Sequence, residues 1–273
     1  MEDIITNVTF NEVLNKFEPK GISDLLIGVD SNGELHSHHF LHRNSLLITG
    51  TVGSGKSITM NQLILSGMFN NSPKDIKFAF YDPKRVEYAV YEDSPFLIKN
   101  IMYDTEEFGE YLVELTAIID KRMKQIVDTE TIDIERYNKY AMENDLEQLP
   151  YIITVIDEIA DLYYINPEIQ EQLIRIIKKT SSVGIYFIIG TQTPRRDVIN
   201  GTLKDNISSR IAMKASMQNE SMITIDEVGA KQLNGLGDMI YKFYGRSELL
   251  QSSCVSDENI EMLNDYLNTK YSI

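Results

Sequence analysis

One eight-residue stretch restricts this chain more than any other: GTVGSGKS, residues 50–57. It satisfies G-x-x-x-x-G-K-[ST], with Gly50, Gly55, Lys56 and Ser57 at the fixed positions. LLIT, residues 46–49, runs into it as a short buried strand, and residues 58–68 continue with apolar side chains at helical spacing. Strand, glycine turn and helix N-terminus together make a phosphate cradle. Gly50, Thr51, Val52, Gly53, Ser54 and Gly55 turn backbone N–H groups inward, and the positive end of the helix dipole lies at Lys56, Ser57 and Ile58. Lys56 is placed to reach β- and γ-phosphates, and the Ser57 hydroxyl to serve a Mg²⁺. A glycine turn that binds nothing is the bland alternative, and a full match with both flanks in place disfavours it.

A second element completes this reading. Residues 151–158, YIITVIDE, are an apolar, β-branched run ending in two acids. As a buried strand of Walker B type it brings Asp157 to the Mg²⁺ and Glu158 to the attacking water, as orienting group or base. Alone such a strand is a weak signal. About 100 residues after a complete phosphate loop it is a strong one.

The rest of the chain alternates strand and helix. Residues 11–17 suit a short amphipathic helix, and residues 24–40 a β-hairpin around Asn32–Gly33. His36, His38, His39 and His42 invite a metal reading. No Cys, Asp or Glu is apparent to complete a site, so they are read as exposed strand histidines. Residues 75–82 form another buried strand ending at Asp82 and followed by PKRVE; Asp82 and Glu87 either face the nucleotide or belong to a salt-bridged helix start. A long amphipathic helix follows over residues 104–127, with Asp104 and Glu107 as a capping box, then a second over 133–144. A helix over 167–180 leads to a strand over 184–192 whose polar tip, Thr191–Gln192, suits γ-phosphate sensing. Residues 193–210 concentrate Arg195, Arg196, Lys204 and Arg210. A strand over 209–214, two edge strands within 235–253 and a final helix near 257–267 close the chain.

Bulk properties narrow the class. At 273 residues with 42% hydrophobic side chains, the chain can bury a substantial core. A single cysteine, Cys254, excludes an internal disulfide and points to a reducing, cytoplasmic setting, and no apolar run is long enough for membrane insertion. The net charge of −15 argues against a simple basic nucleic-acid binder, though not against one that confines its positive charge to a groove or channel.

In order and content, GTVGSGKS, YDPKRVEY, LPYIITVIDEIADL, GTQTPRRDVINGTLKDNISSRIAMK and VGAKQLNGLGDMIY resemble the motor domain of the FtsK/SpoIIIE DNA-translocase family. The resemblance implies a RecA-like P-loop NTPase core over residues 44–273: an α/β fold with a mostly parallel central sheet flanked by helices. Residues 1–43 are then an N-terminal extension of helix and hairpin. It further implies Mg·ATP hydrolysis at subunit interfaces of a ring, usually a hexamer, that moves double-stranded DNA. Lys56, Ser57, Asp157, Glu158 and Gln192 carry over as nucleotide machinery, and Arg195, Arg196 and Lys204 as the DNA-facing loop. Ser181, Gln218 and Met222 stand where basic residues are typical of the family; Lys178, Lys179, Arg210 and Lys214 are the neighbouring cations available for a trans-acting role. With no membrane anchor and no C-terminal DNA-reading module expected, the motor fits a phage, plasmid or conjugative-element setting. The alternative is a nucleotide-dependent coupling or assembly ATPase that binds a protein partner, which the acidic charge favours. A small-molecule kinase would need an Arg-rich lid that the sequence lacks.

Overall fold

The computed structural model describes residues 9–271. Nine strands form one sheet, in the order β2-β1-β9-β8-β7-β3-β6-β5-β4. β3 (Leu46–Thr49), β4 (Ile76–Tyr81), β5 (Tyr151–Ile156), β6 (Ile185–Thr191) and β7 (Ser209–Met213) run parallel; β1 (Asp24–Val29), β2 (Leu35–His39), β8 (Asp238–Phe243) and β9 (Arg246–Gln251) extend the sheet antiparallel. β8 and β9 are therefore interior strands and not the edge pair expected from sequence. The N-terminal hairpin adds to β9 through the pair Val29–Gln251, so β2 and β4 are the edges.

The parallel strands read as unbroken apolar runs because both faces are covered. Alternate side chains serve opposite layers. Leu46, Ile48, Phe78, Phe80, Ile153 and Val155 pack on the side of α1 (Phe10–Lys16), α3 (Lys56–Asn70) and α10 (Asp257–Tyr271). Leu47, Ala79, Tyr81, Ile152 and Ile156 pack on the side of α4 (Thr105–Asp128), α5 (Ile134–Glu143), α6 (Ile159–Ile165) and α7 (Glu168–Thr180). The Asp104–Glu107 capping box forms at the start of α4, with both reciprocal bonds made. α3 is buried along most of its length and presses on β1: a Cβ at Gly67 would lie 2.7 Å from Leu25 Cδ2. The phosphate-loop helix is thus held between the sheet and α10, a rigid seat for whatever its N-terminus binds.

Three short helices were not apparent in the sequence: α6, α8 (Gly201–Asn206) and α9 (Gln218–Ile225). A four-residue turn of helix, α2 (Phe40–Arg43), joins the hairpin to β3.

Candidate nucleotide site and the basic cleft beside it

β3 ends at Thr49 and the loop wraps over it, with Gly53 at φ 77° and Gly55 at φ 95°, both in the left-handed region that favours glycine. The loop is braced from outside by a second glycine turn, residues 234–238. The Leu236 and Gly237 N–H groups donate to Gly53 O (3.3 Å) and Ser54 O (2.8 Å), and a Cβ at Gly55 would lie 2.4 Å from Gly237 N. Gly235, Leu236 and Gly237 all have positive φ. From sequence alone this segment is only the approach to an edge strand. A GLG triplet is the signal for a close backbone approach, but it does not say to what.

At the start of α3, Lys56 is buried and its Nζ donates to Asp157 Oδ1 (2.5 Å) and to the Asp157 carbonyl (2.9 Å). Asp157 follows β5 directly and is 1% exposed; its other oxygen, Oδ2, is buried without a hydrogen-bond partner. Glu158 is fully engaged. Its Oε1 accepts from the Thr191 hydroxyl (2.5 Å) and Ala160 N–H (3.2 Å), and its Oε2 from Gln192 N–H (2.7 Å). The expected base and the expected sensor strand are therefore joined directly, and Thr191 is a partner that sequence reasoning missed. Asp82 Oδ2 accepts from the N–H groups of Glu87 (2.9 Å) and Tyr88 (3.0 Å), so Asp82 shapes the turn that carries Glu87. Burial pushes the Glu87 carboxyl up, helped by Asp157 and Asp82, while Ser57 and Lys56 oppose the rise. Asp157 Oδ2 is a buried carboxylate oxygen without a partner, a donor of the kind that suits a hard divalent cation, and Ser57 at the start of α3 would add a hydroxyl oxygen.

The basic residues separate into two groups. Arg195 and Arg196 are exposed after β6, with Arg195 paired to Asp197 (3.1 Å). Lys204 and Arg210 converge instead on Asp226, which adopts φ 60° at the end of α9; the Arg210 pair spans 3.1 Å, and the Lys204 pair is a direct hydrogen-bonded ion pair. Burial works against the Asp226 charge, but Lys204, Arg210 and Lys242 hold its carboxyl below the usual range. Arg196, Asn200, Lys204, Arg210, Met222 and Asp226 line a cleft of about 790 Å³. Thr224, two residues before Asp226, bonds through its hydroxyl to Thr49 (2.9 Å), linking this cleft to the root of the phosphate loop. Of the other expected cations, Lys178 and Lys179 are exposed on α7. Lys214 lies beside its own phosphate loop, with Thr51 N–H on its carbonyl (3.0 Å) and its Nζ on Asn234 O (3.2 Å).

The histidines depart from the exposed-strand expectation. His38 is fully buried, donating from Nε2 to Asn44 O (2.7 Å) and accepting at Nδ1 from the Tyr241 hydroxyl (2.9 Å). His39 stacks on His42 (centroids 4.5 Å apart). Carboxylates unnoticed in the sequence do approach His36: Asp30 and Glu34 on one side, with ligand atoms within 4.8 Å, and Glu248 at 3.1 Å on the other. Asp30 is already occupied in capping the hairpin turn through the N–H groups of Asn32 and Glu34.

The family's sequence profile matches residues 18–196, about two-thirds of the chain. The chain belongs to the FtsK/SpoIIIE family. Among FtsK/SpoIIIE relatives, the DNA translocase FtsK of Oceanobacillus iheyensis is 35% identical over 273 aligned residues, covering 96% of this chain and 35% of that protein. FtsK of Campylobacter jejuni is 34% identical, covering 84% of this chain and 24% of that protein. The chain thus spans about a third or less of the length of these relatives. Its fold is that of solved P-loop ATPases. The pCW3 conjugation coupling protein TcpA, solved with ATPγS, superposes with TM-score 0.84 at 21% identity over 98% of this chain and 75% of that one. ATPases 2 and 3 of Geobacillus thermodenitrificans EssC give TM-score 0.84 at 19% identity, over 99% and 53%. Among the described residues, no helix is long and apolar enough to cross a membrane.

Proposed function

We propose that this chain is an ATP-hydrolysing motor that moves double-stranded DNA as a homo-oligomeric ring, with residues 44–273 as the motor and 1–43 as its extension. The observation that carries the reading is the Glu158 carboxylate. It stands at the hydrolysis corner while holding Thr191 and the Gln192 N–H, at the head of the segment bearing Arg195, Arg196 and Lys204. A change in the charge Glu158 faces is thereby felt at the strand tip that leads to the DNA-facing residues.

In this mechanism residues 50–58 wrap the nucleotide, the Gly50, Thr51 and Ser54 N–H groups bracing the loop on Thr191 O, Lys214 O and Thr51 O and the other N–H groups facing the phosphates, and Lys56 exchanges Asp157 for the β- and γ-phosphates. Ser57 and Asp157 would hold Mg²⁺, which would supply neutralisation of charge on the phosphates. Glu158 orients and deprotonates the attacking water. Loss of the γ-phosphate lets Glu158 and Gln192 resettle, altering the grip of Arg195, Arg196 and Lys204 on the DNA backbone. Such a grip is independent of base sequence and weakens with salt. For the trans-acting cation, the exposed Lys178 and Lys179 are the better candidates, since Arg210 is committed to Asp226 and Lys214 to its own subunit's Asn234. The setting proposed is cytoplasmic, in a phage, plasmid or conjugative element.

The net charge of −15 favours a second reading, an ATPase that couples to a protein partner in a transfer or secretion complex. Steady-state ATP hydrolysis with and without long duplex DNA separates the two. A motor shows DNA-stimulated turnover that Glu158→Gln abolishes; nucleotide binding with DNA-indifferent turnover rejects it in favour of the coupling ATPase.

A further inference from the structure

The hairpin histidines belong to no part of the nucleotide site, yet His36 is set as a ligand is. It lies on β2 opposite Gly28 of β1, and its ring reaches across β1 to β9, where Nδ1 stands 3.1 Å from Glu248 Oε2. The other ring nitrogen, Nε2, is buried and has no hydrogen-bond partner, although Asp30 Oδ2 is only 3.3 Å away. With the ring proton on Nδ1, toward Glu248, the Nε2 lone pair faces a carboxylate oxygen. That arrangement repels unless a positive charge lies between the two atoms.

The hairpin turn holds Asp30 in place. Its Oδ1 accepts from the N–H groups of Asn32 and Glu34 (2.9 Å each), so only Oδ2, with a long 3.5 Å contact from the Asn32 amide, is left toward His36. The Asp30 N–H donates to Glu34 O (3.0 Å), which brings Glu34 beside the pair. One donor atom each from Asp30, Glu34 and His36 then lie within 4.8 Å of one another. Tetrahedral zinc with bonds of about 2.0–2.2 Å sets neighbouring donors about 3.3–3.6 Å apart. The His36–Asp30 separation already meets that spacing, and the exposed Glu34 side chain can close the rest. A carboxylate behind the second ring nitrogen is what fixes the tautomer of a metal-bound histidine, and Glu248 supplies one from a different part of the chain. Imidazole with two carboxylates suits a borderline cation such as Zn²⁺, whereas Ca²⁺ and Mg²⁺ take oxygen donors.

We propose that Asp30, Glu34 and His36 form a structural Zn²⁺ site, with Glu248 fixing the His36 ring from β9 and water completing the coordination. β1 joins β9 through the single register pair Val29–Gln251. A metal bound to His36, whose ring contacts Glu248, fastens the hairpin to the rest of the sheet at a second point. The site is separate from the nucleotide corner and does not depend on how that corner works.

The test is calorimetric titration of the chelator-treated full chain with ZnCl₂, with excess Mg²⁺ present to compete at oxygen-only sites. A Cys254→Ser background removes the exposed thiol. A single Zn²⁺ binds per chain, raises the melting temperature and is not displaced by Ca²⁺. His36→Gln removes this binding, as does Asp30→Asn, which keeps an Oδ1 acceptor for the turn. Glu248→Gln weakens it about 10–100-fold. His42→Gln, which breaks the stacked His39–His42 pair, leaves it unchanged. Co²⁺ in place of Zn²⁺ gives visible absorption bands that His36→Gln abolishes. Absence of saturable Zn²⁺ uptake overturns the proposal and leaves His36 as a protonated ring between Asp30 and Glu248. Binding that survives His36→Gln, falls with His42→Gln or yields to Ca²⁺ overturns it equally. If His36→Gln fails to fold, Asp30→Asn must remove the binding by itself.

Discussion

Gly237 is the hinge point of the brace behind the phosphate loop. Its N–H donates to Ser54 O (2.8 Å), its carbonyl accepts from Ser252 N–H (2.9 Å), and its φ is 98°. A Cβ there would meet Ser252 Oγ at 2.1 Å and Gln251 Nε2 at 2.7 Å. Giving way costs packing at the first and hydrogen bonds at the second. Ser252 is 4% exposed, and Gln251 Nε2 is bonded to Leu236 O (2.8 Å) and Ser252 O (3.1 Å). For Gly237→Ala, left-handed backbone with a Cβ costs about 1–2 kcal/mol, and relieving the overlap costs about 1–3 kcal/mol more. For a chain of this size the total corresponds to a melting temperature lower by roughly 4–20 °C. Because the strain is relieved by moving residues 234–238 off Gly53 and Ser54, affinity for ATP falls together with stability. Thermal unfolding by circular dichroism and nucleotide titration on the same preparation measure both. A variant that melts within about 2 °C of wild type and binds ATP unchanged would refute the brace.

Two further outcomes follow from groups outside the hydrolysis corner. Burial brings His38 down to about 3, aided by the charges of Arg43 and His39 and opposed by its bond to the Asn44 carbonyl. It therefore stays neutral in the fold while the unfolded chain protonates near 6.5. Between those values the unfolded state binds the extra proton, so the stabilisation is complete above pH 6.5 and is lost as pH falls toward 3. From pH 7 to pH 5 this amounts to about 2 kcal/mol, and urea melts should show the wild-type to His38→Gln stability difference shrinking by that much; a constant difference would exclude it. Asp226→Asn frees Lys204 and Arg210 in the cleft, so duplex-DNA affinity should rise several-fold, with a salt dependence steeper by about one phosphate contact. An affinity that falls or stays level, measured by fluorescence anisotropy across salt concentrations, would remove Lys204 from the DNA-facing set.

What the sequence disclosed, and what it hid, divides along physical lines. The runs that became β4, β5 and β6 were legible because strands covered on both faces are apolar without interruption. The α4 start was legible because a capping box is local, as was the phosphate loop. Hidden features all depend on contacts far along the chain. β8 is interior because it pairs with both β7 and β9, and β9 became interior only because a hairpin from the other end of the sequence docks on it. His38 looked like any strand histidine until Tyr241 and Asn44 enclosed it. Lys204 reads as a free cation in sequence, yet Asp226, 22 residues later, claims it. Glu87 was ambiguous because nothing local says where the turn after Asp82 points. The short helices α8 and α9 are too brief to declare themselves by periodicity.

The most direct measurement of DNA movement is displacement of a third strand from a triplex on linear duplex DNA. With ATP, the wild-type chain should release the labelled strand in a time that grows with its distance from the loading end, and Glu158→Gln or ATPγS should leave the triplex intact. ATP consumed to completion with every triplex still in place would contradict a motor, and would leave an ATPase that couples to something other than DNA.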